Sequence, residues 1–544
     1  MTARPANSSS SGSGGLRRAA ERRPASGIGG PVRDLFRAAW LRRPGVAGAF
    51  ALGVGGLAFA VYAATAIRGV SFGDWAEAQV VPATLGIMHP TGYPTYTLLG
   101  ALVSLIPAGS PAFKANLLSG ACTAAALATL TLILARLNVR PLVAAPVALA
   151  LGFTSDIWLN SIHAEVHTLH LLFVALLLHR LLVWVQDQRP RDLWLGGLLL
   201  GLSFGNHMLT LTLAPEIVLG ALWLGRRTIL ERPRILLPAA FEFLIGLSVY
   251  LYLPLRSLDK PPVMYADLSN LATLVTHVSG SQFTSQSTAF TADGPARFYA
   301  QIQTWLAPPG GYVAIAAVAV AVFGLAVMWR THRAYTVILL AVFLIGAYLD
   351  NNEDPGRRDQ YLFTSSAVMA LYLGVAAEAF VARVERVWQG WRALDLARGV
   401  AIGLLAAAPL LLFVDTVPTA DQSVNDQGQQ FVNTVLADLP PNAVLFDLWD
   451  VRTPLEYAQQ IEGMGRGLTL TENAGKALAY AAAGRQVYVL QVFDAGVEAI
   501  RAHYQLTVVA DIYVPYGGIS APYLRPLYRV DVGPSALARP AVAR

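Results

Sequence analysis

Cysteine and charge are the two scarcities of this sequence. Its 544 residues include one cysteine, Cys122, and a lone thiol forms neither an intrachain disulfide nor a cysteine-based metal centre. Charged residues make up 14% of the chain, against about 25% in ordinary soluble proteins. No phosphate-binding loop of the GxxxxGK[ST] kind is present, which argues against ATP-driven transport by this chain alone. The HExxH order of zinc proteases is missing too, because Glu165 stands between His163 and His167 rather than directly after the first histidine.

What the chain has instead is apolar sequence: 55% hydrophobic residues and a mean hydropathy of +0.48. A hydrocarbon core of roughly 30 Å asks for about 20 apolar residues at 1.5 Å each, and such stretches recur from Ala47 to Val414. A soluble enzyme, a fibre and a disordered chain are excluded. The pattern describes an α-helical polytopic membrane protein with about eleven transmembrane helices. The first is Ala47 to Ile67, read as an uncleaved signal anchor. The others lie near 112–136, 141–159, 165–187, 193–205, 207–225, 235–254, 312–330, 334–350, 361–382 and 399–416.

Arginine placement orients them. Residues 1–44 form a basic arm rich in Ser, Gly and Pro, expected to be disordered and cytoplasmic. Further arginines sit in alternate connections, among them Arg136, Arg140, Arg189, Arg191, Arg226, Arg227, Arg330, Arg333, Arg383 and Arg386, whereas the opposite connections hold few. The positive-inside rule then puts the N-terminus in the cytoplasm of a plasma-membrane protein. The net charge of +6 is thus topological, and nucleic acid is not an expected partner. The membrane domain runs from 45 to 417, with outer connections at 68–111 and 255–311. Within the first, the stretch 79–107 is broken by Gly and Pro and is placed along the outer interface. Residues 418–544 return to soluble composition. Short strand-like runs at Ala443–Asp447, Gln486–Val492, Leu506–Ile512 and Leu527–Val532, with a helical pattern over Pro454–Glu462, predict a small extracytoplasmic α/β domain.

The polar residues near the membrane concentrate on the outer side. Asp74 and Glu77 follow the first helix three positions apart, so they share a face if the segment is helical. Paired carboxylates at an apolar boundary have raised or split pKa values, which suits one of them to general-base work; a solvated turn capped by Asp74 is the plainer alternative. His89-Pro90-Thr91-Gly92-Tyr93-Pro94 packs backbone-restricting residues around the polar tips of His89 and Tyr93, as a substrate-facing loop or an ordinary re-entrant turn.

His163, Glu165, His167 and His170 precede or open the fourth helix, where His163 and His167 are spaced to share a metal. Packing by hydrogen-bonded histidines, or a substrate contact by Glu165 or His167, competes with that reading. Asn206 and His207 interrupt an apolar run, which is costly unless they face a cavity or a partner. Tyr252 and Arg256 end the seventh helix, and Arg357 and Arg358 precede the tenth. Arginines on the outer side run against the charge bias, and their planar forks match phosphate oxygens, with local pairing to Asp350, Glu353, Asp354 or Asp359 as the alternative. The long connection from Ser257 to Gly311 carries Tyr265, Phe283, Phe290, Tyr299 and Trp305, which would lie on the membrane surface or cover a cavity.

Taken in order, these pieces resemble a known family, the polytopic protein O-mannosyltransferase-like proteins of the GT-C type, once grouped under a domain of unknown function. The matching segments are Asp74 to Glu77 followed by Leu85 to Pro94, then Ala164-Glu165-Val166-His167, Gly201 to His207, and Tyr252 to Ser257. Thr91 stands where the family usually has proline, and Trp75 where it commonly has a small residue. The resemblance implies a GT-C-like glycosyltransferase that moves a hexose, mannose by likeness, from a polyprenyl-phosphate carrier to a protein or glycan hydroxyl on the outer face of the membrane. By position it implies Asp74 as the general base, with Glu77 second, and His89, Tyr93, Glu165, His167, Asn206, His207, Tyr252, Arg256, Arg357 and Arg358 around donor and phosphate. Some GT-C enzymes use a divalent metal and others none, and this sequence has no decisive ligand set. Two rivals remain on sequence grounds: a lipid or glycan transporter or flippase, which would need ionisable residues deep in several helices, and a non-catalytic envelope scaffold.

Overall fold

The computed structural model describes residues 44–283, 289–307, 310–352, 360–389, 391, 393–491, 494–514 and 523–531. The basic arm, Arg357 and Arg358 lie outside the described residues.

Helix α1 spans Pro44–Thr65, α2 Gly73–Thr84, α3 Pro94–Ser104, α4 Pro111–Arg136, α5 Pro141–Gly152, α6 Ser155–Ser161, α7 Val166–Asp187, α8 Pro190–Phe204 and α9 Thr210–Leu224. They are followed by α10 Leu236–Leu247, α11 Tyr252–Leu258, α12 Leu271–Val278, α13 Gly294–Trp305, α14 Gly310–Thr331, α15 Arg333–Leu349, α16 Phe363–Val387 and α17 Leu394–Ala420. Ten of the eleven expected spans fall on one helix or one continuous helical rod each. Among the described residues, seven helices are long and apolar enough to cross a bilayer: α1, α4, α7, the continuous rod Pro233–Leu258 that contains α10 and α11, α14, α16 and α17. The expected span 141–159 is instead α5 and α6, bent by 72° at the break between them. Helices α8 and α9 have 15 residues each. At 1.5 Å per residue they reach about 22 Å, short of a hydrocarbon core.

Local signals set the helix starts. Ser110 caps α4 by accepting from Phe113 N at 3.2 Å, with Pro111 in the first turn, where its missing N–H costs nothing. Burial then sorts the bundle: 72% of the most apolar stretch of α4 and 78% of that of α7 lie inside the protein, against 6% for the α10–α11 rod and 17% for α17. The first two are the central pillars and the others face outward. Helices α2 and α3, of 12 and 11 residues, split the stretch 79–107, and neither is long enough to span.

The C-terminal region continues with α18 Gln427–Asp438, β1 Val444–Phe446, α19 Trp449–Tyr457, β2 Thr469–Thr471, α20 Ala474–Ala482, β3 Val487–Val489, α21 Asp494–Arg501, β4 Gln505–Val514 and β5 Tyr523–Asp531. The strands form one sheet in the order β2-β1-β3-β5-β4, parallel around β1 and antiparallel through β5. The four expected strands are present, and β2 is an addition: three residues alternating threonine and leucine give too short a pattern to read. Helix α19 begins at Trp449 rather than Pro454, which lies inside it in the second turn and gives up only the hydrogen bond its own N–H would make to the preceding turn.

This region shares a hydrophobic core with the first connection. Phe72, Ala76, Val80 and Tyr96 pack with Phe431, Leu445, Val451, Leu455 and Ile512.

Candidate functional site

Three ligand-type side chains, Asp74, Glu77 and His89, converge at one end of the bundle with their polar atoms within 4.8 Å of one another. Helix α2 supplies the first two: positions 74 and 77 share one face, as their spacing predicts. Chain reversal at His89-Pro90-Thr91-Gly92 returns the histidine to them. Gly92 has φ of +89°, and a Cβ there would lie 2.9 Å from a Leu253 methyl, so both the turn and the close approach call for glycine.

Glu77 is 1% exposed and fully engaged with His89: one oxygen accepts from the His89 backbone N at 2.7 Å, and the other bonds Nδ1 of its ring. Burial raises the Glu77 carboxyl above its ordinary range, and the His89 pairing works in the opposite direction. The other ring nitrogen, Nε2, bonds the Tyr93 hydroxyl at 3.0 Å, and that hydroxyl also donates to Pro90 O at 3.1 Å. Asp74 is less buried, and its Oδ1 accepts from Trp449 Nε1 at 3.0 Å.

A second carboxylate–histidine pair stands beside the first. Glu165, at the N-cap of α7, accepts from His167 Nδ1 at 2.6 Å and from its backbone N at 3.2 Å. Burial pushes this carboxyl up, but the His167 contacts outweigh it and hold it below its ordinary value. Its other oxygen accepts from Trp75 Nε1 at 3.0 Å, while the Trp75 ring stacks on His163 at 4.0 Å. The tryptophan thus buttresses the second pair, and His163 turns its Nδ1 to Leu159 O rather than joining His167 at a metal. His207 sits between the pairs, its ring 4.4 Å from that of His167 and 5.6 Å from that of Tyr93. It accepts from Leu209 N at 3.1 Å, and burial with the nearby histidines keeps it well below its ordinary pKa, hence neutral. Nε2 of His167 is buried without a hydrogen-bond partner among the described residues. Asn206 donates to Val166 O at 3.1 Å and ties the α8–α9 turn to the start of α7.

Tyr252 and Arg256 act at the far end of α2. One turn apart on α11, they donate to Gly86 O at 2.7 Å and Leu85 O at 2.6 Å, and Arg256 also pairs with Asp259 at 3.0 Å. A cation over the last carbonyls of a helix is favourable there. Their contacts hold the 84–86 turn, and none of them reaches the Asp74 group. Of the aromatic residues in the long connection, Tyr265 approaches the site, its ring 5.4 Å from Trp449 and 6.4 Å from His89. Trp449 is a site residue that sequence reasoning missed, because nothing local to position 449 marks it as a neighbour of position 74; Tyr361, its ring 5.2 Å from that of His167, is another.

Asp74, Glu77 and His89 offer the donor set a divalent ion would need, two carboxylates and an imidazole. With Glu77 and His89 bonded to each other, that set fits an ion only if their bond opens.

Fold and site together define a multi-pass membrane protein of the GT-C fold, with a carboxylate-bearing connection at one end. Two crystal structures of ArnT from Cupriavidus metallidurans, one bound to undecaprenyl phosphate and one in the apo state, have the same fold, with TM-scores of 0.54 and 0.56 at 12% identity. Each alignment covers 90% of this chain and 99% of the other. Residues 74–229 match the family model described as the protein O-mannosyl-transferase TMEM260 N-terminal domain. Among curated proteins, the chain is 26% identical over 455 residues to the protein O-mannosyl-transferase TMEM260 of Mus musculus, covering 76% of this chain and 61% of that one. It is 28% identical over 234 residues to the Dictyostelium discoideum protein of the same name, covering 40% of this chain and 29% of that one. The chain therefore resembles O-mannosyltransferase-like GT-C proteins, and it spans about three fifths of the mouse relative's length.

Proposed function

We propose that this chain is a membrane glycosyltransferase that transfers a hexose, mannose by its likeness to the O-mannosyl-transferases, from a polyprenyl-phosphate carrier to an acceptor hydroxyl. The observation that carries the reading is the Asp74–Glu77–His89 group, placed where the family match begins, on a fold shared with a protein captured with undecaprenyl phosphate.

Geometry favours Asp74 over Glu77 as the base. Both Glu77 oxygens are occupied by His89 in a buried setting, whereas Asp74 is less buried and its Oδ1 accepts from the Trp449 indole. Asp74 takes the proton of the acceptor hydroxyl as its oxygen attacks the anomeric carbon. The bond to the carrier phosphate breaks on the opposite side, which inverts the configuration. Glu77 orients His89, and His89 orients Tyr93, so the loop faces the sugar in one conformation. His167, aligned by Glu165, and His207 offer ring nitrogens to donor oxygens, with Asn206 fixing the turn that carries His207. The charge that develops on the phosphate falls to Arg256, Arg357 and Arg358 in this reading. Arg256 supports it by keeping about a quarter of its side chain exposed beside Asp259. The carrier's chain stays in lipid, the reaction lies at the outer face of a plasma membrane, and residues 418–544 form an extracytoplasmic domain. No nucleotide-sugar site is required.

The test is hexose transfer from a polyprenyl-phosphate donor to a mixed pool of membrane and secreted acceptors by the purified full chain. Asp74→Asn is expected to lose about a hundredfold or more in kcat, with donor binding retained. Wild-type protein that neither transfers nor binds the donor defeats the reading in favour of a transporter or scaffold.

A further inference from the structure

One group in the site comes from the far end of the chain. Helix α19 carries Trp449, Thr453 and Tyr457 four residues apart, hence on one face. That face lies against α2 and the start of α4. Trp449 Nε1 donates to Asp74 Oδ1 at 3.0 Å, Thr453 Oγ1 to Gly73 O at 3.0 Å, and Ala112 N to the Tyr457 hydroxyl at 3.2 Å. The last two bonds dock the helix, and the first touches the proposed base.

The indole is itself held in place. Its ring meets that of His89 edge-on at 5.7 Å and that of Tyr265 at 5.4 Å, so swinging away from Asp74 would break both contacts. An indole N–H is a donor only. Aimed at a carboxylate oxygen, it favours the ionised form and fixes the carboxylate's rotation. General-base catalysis needs both properties, an unprotonated oxygen and a set direction toward the acceptor hydroxyl.

We propose that Trp449 is a positioning residue for Asp74, and that the C-terminal α/β region completes the catalytic site rather than serving only as an accessory module. The proposal rests on the reading of Asp74 as general base. Trp449 acts through Asp74, so it changes turnover and its pH dependence while leaving donor affinity alone.

The experiment compares the full-length wild type with W449F, W449H and T453V in hexose transfer from a polyprenyl-phosphate donor across pH 4 to 9. W449F removes the donor and keeps a ring. Its kcat is expected to fall about tenfold or more, the effect of losing one hydrogen bond to a charged group. Donor KM stays within about twofold, and the acid limb of kcat moves up by about one pH unit. W449H, a shorter ring that still bears an N–H, gives a smaller shift in the same direction and carries the test if W449F does not fold. T453V loses a docking bond only, so it lowers the melting temperature and leaves the acid limb in place. The proposal is overturned if the limb stays put in folded W449F, or moves as far in T453V as in the Trp449 variants. A wild type without transfer overturns the glycosyltransferase reading and this proposal together, whereas an active wild type with an unaltered W449F overturns this proposal alone.

Discussion

Glu165 grips His167 twice, through the backbone nitrogen and the ring Nδ1, and its second oxygen holds the Trp75 indole. Removing the carboxylate leaves those donors buried without partners. Glu165→Ala is expected to destabilise the protein by about 2–3 kcal/mol, seen as a lower melting temperature in detergent. The His167 ring, freed to rotate, should raise donor KM more than Glu165→Gln does, because glutamine keeps one acceptor oxygen.

Glu77→Gln separates support from catalysis. Its amide can accept from only one of the two His89 donors, so His89 and Tyr93 lose their fixed orientation. The expected result is a melting temperature lower by about 1–2 °C, for a loss of about 1–2 kcal/mol, and a smaller fall in kcat than in Asp74→Asn. Equal falls in kcat, with normal melting, would move the base to Glu77.

Glu456 links pH to stability. On α19, beside Arg452 at 2.9 Å, its carboxyl is raised from 4.5 to about 7, chiefly by burial, with Arg452 opposing the shift. A carboxyl raised on folding contributes stability that is complete below about pH 4.5 and lost as pH rises through 7. Glu456→Gln mimics the protonated form. It should match wild type in melting temperature near pH 4.5 and exceed it by a few degrees at pH 8, measured by thermal scans at both values.

Helices α8 and α10 meet backbone to backbone. A Cβ at Gly201 would lie 2.2 Å from Phe243 O, one at Gly197 2.3 Å from Ala239 O, and one at Gly246 2.4 Å from Leu198 O. Small residues four apart permit this close approach. Gly201→Val must push the helices apart, at a cost of about 1–3 kcal/mol. Because the Gly205 carbonyl accepts from Thr95 N at 2.9 Å, the shift reaches α3 and the turn that carries His207. Lower melting with a raised donor KM is the expected pair of results.

The apolar spans, the soluble C-terminal composition and the polar positions at helix ends were legible in the sequence. Hydropathy is a local property, and lipid obliges each span to satisfy its own backbone hydrogen bonds, so composition along a segment decides helix and burial together. The 74/77 spacing on one helical face followed from the 3.6-residue period in the same way.

Tertiary packing decided the rest. Tyr252 and Arg256 stand out in the sequence as polar residues after a span, but that they donate to the carbonyls of the turn after α2 was decided by the fold, which brings those carbonyls within their reach. Glu77 and Asp74 look equivalent in sequence; the return of His89 across the loop occupies both oxygens of the buried Glu77, while the less buried Asp74 meets Trp449. That last contact joins positions 375 apart. No periodicity or composition signals a partner at that distance, since the indole meets the carboxylate only where the α/β region packs its core against α2.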